Sequence, residues 1–521
     1  MGDGPLQRGW LLALLLFGIA FVAAYDLALG PVRYPYAADS ASYIEMADSL
    51  YHEGRPLVTP WDLDDSPLER IPQALFPPGF PLLVAAVIPF AGDARSAALW
   101  PGRVAAALTP LLIALLFRGA FSAGLLVLLA SFALVTPGLR GWQFLAYSDA
   151  SAAALAIIAL GALARGLGLA GAARLPARGW LFAAGLAAGA AYGIRNAGLA
   201  VLAAAVFTLG WHAWRGRGGL RALCWWLAGA LPPLAALWCY NLATFGKLQP
   251  YTMPVSTRSL LHNVGDYALA QITDLGLPWQ VAEHTPALLA AAVMALLAAV
   301  TAAGWWRLRD NPRRQGLLTL LGGYAFGGGL LLIASRSRYE WGGLIDVRNT
   351  LQYTWALALA AALAVEVLVD ARLRRLARLG GTLLVLFLLG STVHEVVAVR
   401  AGGQEVWQLL NRDPRVLAAA ADAPPETFLA SNQAVLFRIG TGRHVRNLEV
   451  SGADRDFNGS LALLARAAGR RPALMLLVCD DWTRAYAVCG GTPELTVVQP
   501  ECSAVRVRPP RVWACRPRRM D

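Results

Sequence analysis

Apolar residues in this chain neither alternate nor recur every third or fourth position; they come in long, nearly unbroken runs separated by short polar breaks. The runs lie near 10–29, 98–117, 119–138, 148–164, 180–194, 197–214, 222–240, 284–304, 316–334, 350–369 and 379–398. About 20 apolar residues let a helix cross the hydrocarbon core of a bilayer, and within that core only structures that satisfy their own backbone survive. The pattern predicts a polytopic α-helical membrane protein of about eleven transmembrane helices. "PLLVAAVIPFAG" is short and bounded by proline, so it reads as interfacial or re-entrant. The stretch 180–214 reads as two short helices broken at Arg195-Asn196. The first run follows Arg8 and exceeds the ~7–15 residues of a signal-peptide core, so it reads as an uncleaved span.

Beyond residue 399 the pattern changes. "TFLAS" and "ALMLLVC" have the length and composition of buried strands, with "SLALLARAAGRR" an amphipathic helix between them. The chain thus divides into a membrane module, 1–399, with a large first loop at 30–97, and a small C-terminal α/β domain, 400–521.

Composition agrees: 57% of the 521 residues are hydrophobic and 15% charged, against about a quarter charged in soluble chains. The net charge of +12 does not point to nucleic acid, because the cations fall in clusters between apolar runs. With the N-terminus in the cytoplasm, Arg118, then Arg165, Arg174 and Arg178, then Arg215, Arg217 and Arg221 all lie inside. So do Arg307, Arg309, Arg313 and Arg314, and finally Arg372, Arg374, Arg375 and Arg378. This orientation puts the 30–97 loop and the tail outside. The tail holds Cys479, Cys489, Cys502 and Cys515, four of six cysteines, as suits an oxidising compartment. Of three pairings, Cys479–Cys489 with Cys502–Cys515 is expected. Cys224 and Cys239 read as core packing.

Candidate chemistry sits in the outward loops. In "YAADSASYIEMADSLYHEGRP", Asp39 is placed to cap a helix, Ser42 and Glu45 have capping-box spacing, and Tyr43, Met46 and Leu50 share one face. An amphipathic interfacial helix is expected, with Glu45, Asp48 and Glu53 as surface charges. In "SPLERIPQALFPPGFPLL" the prolines stiffen the loop around Glu69 and Arg70. "RGWQFLAYSDAS" brings Arg140, Trp142, Tyr147 and Asp149; "YGIRNAG" brings Arg195 and Asn196. "YNLATFGKLQPYTMPVSTRSLLHN" brings Asn241, Lys247, Arg258, His262 and Asn263. "SRSRYEWGGLIDVRNTLQY" brings Arg336, Arg338, Tyr339, Glu340, Asp346 and Arg348. Arginine on the disfavoured side of a membrane suits bidentate recognition of a lipid phosphate.

"DSASYIEMADSL", "FPPGFPLLVAA", "YSDASAAALAIIAL", "GLAAGAAYGIRNAGL", "NLATFGKLQP" and "FLASNQAVLFRIGTGRHV", in that order, resemble the GT-C superfamily of integral membrane glycosyltransferases. The likeness is to bacterial protein mannosyltransferases and lipid A aminoarabinose transferases. It implies a multi-pass protein of a bacterial inner membrane that moves a sugar from a polyprenyl-phosphate-linked donor to an acceptor hydroxyl of a lipid, glycan or protein. Asp39 takes the place of the family's first-loop base, and Asp149 that of an acidic residue opening a later span. Arg70, Arg195, Arg338, Tyr339 and Arg348 become donor-phosphate residues, with Glu69 a metal-ligand candidate. Many relatives carry Asp-Glu where this chain has Asp39-Ser40, so a divalent metal stays open. Tyr43, Trp142 and Asn241 are candidates for sugar or acceptor contact, and Trp61, Trp142 and Trp341 for stacking on sugars. The chemistry is coherent: displacement at an anomeric carbon needs a base for the acceptor proton and cations for a phosphate leaving group. A secondary transporter is the rival reading, but the apolar runs are nearly free of charge, with Glu366 and Glu395 near their ends, and no repeat relates the halves. A non-catalytic polysaccharide-assembly subunit is a third.

Overall fold

The computed structural model describes residues 5–60, 70–171, 177–216, 219–250, 253–282, 284–340, 344–448, 457–479, 501–506 and 511–516. The chain forms two compact units. One comprises Met1–Ala28, Ala74–Leu83 and Leu99–Val397; the other comprises Leu29–Gln73, Val84–Ala98 and Ala398–Asp521. Of the first loop, assigned from sequence to the membrane module, residues 74–83 group with the membrane helices and the rest with the tail.

In the membrane unit, nine helices among the described residues are long and apolar enough to cross a bilayer, or ten if one bent pair counts as a span. The bent pair, Ala123–Val135 and Pro137–Phe144, turns by 49°. Its cause is local: Thr136 is held extended (ψ 144°) ahead of Pro137, as the proline ring demands of the residue before it. The straight span expected at 119–138 is thus bent at Thr136-Pro137, its second arm ending at Phe144.

The helix Ala177–Ile194 occupies the place of the fifth expected span. Its Gly and Ala content makes it a packing helix. A Cβ on Gly185 would sit 1.9 Å from the Trp226 carbonyl oxygen, and one on Gly229 would sit 2.0 Å from that of Phe182. Only glycine permits this backbone-to-backbone seam with the helix Gly219–Phe245. The break at Arg195 is present: that residue is extended (φ −153°, ψ 134°) before a single 3-10 turn, Asn196–Gly198. The next helix is Leu199–Trp214.

Three expectations change. Leu260–Asp274, read as loop, is a helix opened by Ser259, whose Oγ accepts from the His262 amide at 3.3 Å. Its Asn263, Gln271 and Asp274 are fully buried, and at 15 residues it is both more polar and shorter than a membrane span. Its end is fastened where Thr354 Oγ1 donates to Asp274 at 2.5 Å and the Gly138 amide donates to the same carboxylate at 2.6 Å. Asn241 is helical rather than in a loop, within Gly219–Phe245. Cys224 and Cys239, on that same helix, are free and exposed rather than core residues. The helix Gly79–Ala91 has 13 residues, about 20 Å of rise, short of the ~30 Å hydrocarbon core.

In the second unit, the helix Ala38–Glu53 precedes a two-stranded antiparallel pair, β1 (Leu57–Val58) and β2 (Ile71–Pro72). The tail supplies β3 (Phe428–Ser431), β4 (Val445–Asn447), β5 (Ala473–Cys479), β6 (Glu501–Arg506) and β7 (Arg511–Arg516). These form one sheet ordered β4-β3-β5-β7-β6. β3 is parallel to β4 and β5, while β7 is antiparallel to β5 and β6. Both faces of β5 are buried: Leu474, Leu476 and Val478 enter one core with Leu429, Phe437 and Tyr34 of the first loop. Met475 and Leu477 enter another with Phe428 and Leu464. A strand covered on both faces reads as a continuous apolar run, which is why "ALMLLVC" was legible. Cys515 is disulfide-bonded, and Cys502 is its registered neighbour across β6 and β7. Cys489 and the side chain of Cys479 lie outside the described residues.

Candidate functional site

Asp149 opens the helix Asp149–Gly166 and is buried, 2% exposed. A lone carboxylate at such depth is costly unless paired, and two arginines pair it. Arg195 Nη1 donates to Oδ2 at 2.9 Å; Arg348 Nε lies 3.3 and 3.2 Å from Oδ1 and Oδ2. Arg195 reaches it because the chain is extended between two helices there. The segment that follows the twin prolines backs this break: a Cβ on Gly79 would lie 2.4 Å from the Gly193 carbonyl oxygen, and Asn196 Nδ2 donates to the Leu75 carbonyl at 3.4 Å. Arg348 sits in the first turn of Val347–Leu368, whose cap Asp346 accepts from the Arg348 and Asn349 amides. Its guanidinium lies 4.2 Å from the Tyr147 ring and 5.2 Å from the Trp142 ring, and the two rings stack on one another at 5.3 Å.

One buried carboxylate thus positions two guanidiniums whose side chains keep 19% and 18% exposure. Both Asp149 oxygens are engaged by guanidiniums, so the described contacts of this carboxylate hold the two arginines in place. Two guanidiniums held on one carboxylate suit a phosphate, which Arg recognises through paired N–H donors. Trp142 is committed to this stack, and Tyr147 is a member that the expected site residues left out.

Other candidates fall elsewhere. Arg338 is exposed and lies over the Tyr339 ring at 5.5 Å, and no described contact joins it to the Asp149 cluster. Beside it Arg336, 2% exposed, pairs with Glu340 at 2.6 Å. Asn241 is buried and donates to the Leu248 carbonyl at 2.8 Å, closing its own helix end rather than presenting an amide to a sugar. Arg140 lies in the short helix Pro137–Phe144 and bonds Glu395 at 3.0 Å and Thr392 at 3.2 Å. Tyr25 donates to the same Glu395 at 3.1 Å, an internal lock with no sequence signal.

In the second unit Asp39 is half-exposed in the first turn of its helix. The cap is Ala37, whose amide donates to Ser40 Oγ at 3.0 Å, so Asp39 is not the cap and Ser42 with Glu45 form no capping box. The helix is not an amphipathic surface helix either: Tyr43, Met46, Ala47 and Ser49 are all buried. Tyr43 is packed inside rather than offered to a sugar. Glu45 is structural rather than a surface charge, accepting from the Thr59 amide at 2.6 Å and pairing with Arg438 at 3.7 Å. Arg70, expected to bind phosphate, is paired with Glu53. Asp48 lies 3.5 Å from His52, and both side chains are exposed. Thr59 Oγ1 meets His444 Nδ1 at 2.5 Å. Although His444 still meets solvent, burial pushes its imidazole below its ordinary value; Glu45 opposes, and Arg70, Arg438 and Arg446 add to the lowering. Trp61, Glu69 and Trp341 lie outside the described residues. Among the described residues, no three His, Cys, Asp or Glu side chains converge as a metal site.

No family model and no curated protein matches the sequence. Solved structures do. The apo form of ArnT from Cupriavidus metallidurans matches with TM-score 0.59 at 15% identity, covering 98% of both chains. ArnT bound to undecaprenyl phosphate matches at 0.58 and 14%, again over 98% of each. The oligosaccharyltransferase of Archaeoglobus fulgidus matches at 0.57 and 13%, covering 91% of this chain and 70% of that one. With its run of apolar helices, its first-loop helix and its mixed-sheet tail, the chain shares the fold of ArnT and of the Archaeoglobus fulgidus oligosaccharyltransferase.

Proposed function

We propose that this protein transfers a sugar from a polyprenyl-phosphate-linked donor to an acceptor hydroxyl at the extracytoplasmic face of a bacterial inner membrane, with its tail on that side. The observation that carries the reading is the pair Arg195 and Arg348, both fixed on Asp149, with side chains that keep 19% and 18% exposure. ArnT, a structural neighbour along its whole length, was solved with undecaprenyl phosphate bound, which makes a polyprenyl phosphate the natural anion for this pair.

In the proposed reaction the acceptor oxygen attacks the anomeric carbon as the bond from that carbon to the phosphate oxygen breaks. The acceptor proton passes to Asp39, assigned as base through the resemblance and left reachable by its half-exposed position. The configuration inverts, and the phosphate leaves with an added negative charge that Arg195 and Arg348 stabilise. Glu69 is the metal-ligand candidate that the resemblance supplies, and the step balances with protein groups alone.

The test is release of free polyprenyl phosphate by the purified protein, offered a panel of hexose and pentose donors and a membrane extract as acceptor. Wild type and Asp48→Asn should turn over alike, and Asp39→Asn should bind donor without turnover. Equal turnover in Asp39→Asn would remove the base; failure with every donor, together with solute flux in proteoliposomes, would favour a transporter.

A further inference from the structure

The helix that starts at Asp149 carries Arg165 in its last turn, about 24 Å away at 1.5 Å per residue. Arg165 is buried, 9% exposed. Its Nε donates to the Leu116 carbonyl at 2.8 Å, and its Nη2 to those of Leu115 at 2.7 Å and Arg118 at 3.0 Å. These carbonyls end the helix Ala94–Leu116, where a cation complements the dipole. Arg313 is fixed the same way, donating from Nε to the Leu169 carbonyl at 3.0 Å and from Nη2 to that of Gly119 at 3.1 Å. The charges of Arg118 and Arg313 both bear on Arg165.

An arginine that merely marks the cytoplasmic side stays solvated and moves freely. Here the described hydrogen bonds of Arg165 and Arg313 all end on main-chain carbonyls, which fix the two heads without neutralising them. Arg313 also lies in the first turn of the 27-residue helix Pro312–Arg338, which has no acidic residue in that turn. Its positive end disfavours a cation and attracts an anion. Asp310, the acid nearest in sequence, is 90% exposed and turned to Arg309 at 3.7 Å. Arg313 at a helix N-terminus, with Arg165 between it and Arg118 in charge contact, makes a concentration of like charge that an anion relieves. At the ends of membrane-spanning helices, the anion present at that depth is a phospholipid headgroup.

We infer that Arg118, Arg165 and Arg313 form a second anion site, at the opposite end of the Asp149 helix, that takes the headgroup phosphate of an acidic phospholipid. The full-length protein in phosphatidylcholine nanodiscs is titrated with phosphatidylglycerol, following the unfolding temperature and the lipid retained in native mass spectra. Each arginine removed should weaken binding about fivefold, so the double variant Arg118→Gln/Arg313→Gln should bind about 25-fold more weakly. Arg215→Gln and Arg375→Gln, changes in other basic segments, should leave binding as in wild type. Arg313→Lys keeps the charge but gives up the paired carbonyl bonds and should retain most binding. The inference fails if the double variant binds like wild type, if Arg313→Lys loses as much as Arg313→Gln, or if inorganic phosphate stabilises the protein as well as the lipid does.

Discussion

Asp149 and Asp39 both open helices, and both read from sequence as catalytic, yet the structure gives them opposite surroundings. Asp149 is sunk to 2% exposure with both oxygens held by guanidiniums; Asp39 is half-exposed in the first turn of its helix. A base needs an oxygen the substrate can reach, and a scaffold needs one that never lets go. Two chemically identical side chains thus sit in different environments, and four measurements test whether they also do the different work proposed for them.

The largest effect is expected for Asp39→Asn, a loss of about a thousandfold in kcat with donor affinity unchanged, the scale of a removed general base. A comparable kcat loss in a folded Asp149→Asn would erase the distinction. Asp149→Ala should instead destabilise the membrane unit by about 3 kcal/mol, because two adjacent cations lose their shared counter-ion; denaturation in detergent reads this. Arg348→Lys keeps the charge but loses the fork and the stacking on Tyr147 and Trp142, so donor affinity should fall about tenfold with stability nearly unchanged. A direct binding titration with polyprenyl phosphate decides it.

The smallest effect concerns pH. The His444 imidazole is pushed below its ordinary value, so as pH falls through the ordinary histidine range the unfolded chain takes up a proton before the folded one. Stability of the second unit should therefore decrease from pH 7.5 to 5.5, and His444→Gln should flatten that slope. An unchanged slope would show that another group governs it.

The apolar runs and the Arg195 break were legible because hydrocarbon imposes length on helices and because Arg-Asn interrupts an otherwise apolar stretch. The β5 strand was legible for the related reason that it is covered on both faces. Leu260–Asp274 was not, since its buried polar residues are satisfied by partners more than 70 positions away, Thr354 and Ser337 among them. The candidate site was half legible. Arginines on the outward side named Arg195 and Arg348, but nothing local says that both close on Asp149. Nor does local pattern separate Arg348 from Arg70, which is spent on Glu53. Tyr43 and Asn241 misled for one reason: polar residues beside apolar runs look available until tertiary packing encloses them.

The glycine seam between Ala177–Ile194 and Gly219–Phe245 bears on bilayer thickness. Lipid-facing helices such as Ala371–Ala401, 31 residues long, adapt to thicker or thinner membranes by tilting. A helix sutured backbone to backbone at Gly185 and Gly229 has no such latitude. Arg195, at the end of that seam, therefore keeps its height by reference to the protein rather than to the lipid. The phosphate it is proposed to meet would find the same depth gauge in membranes of different thickness.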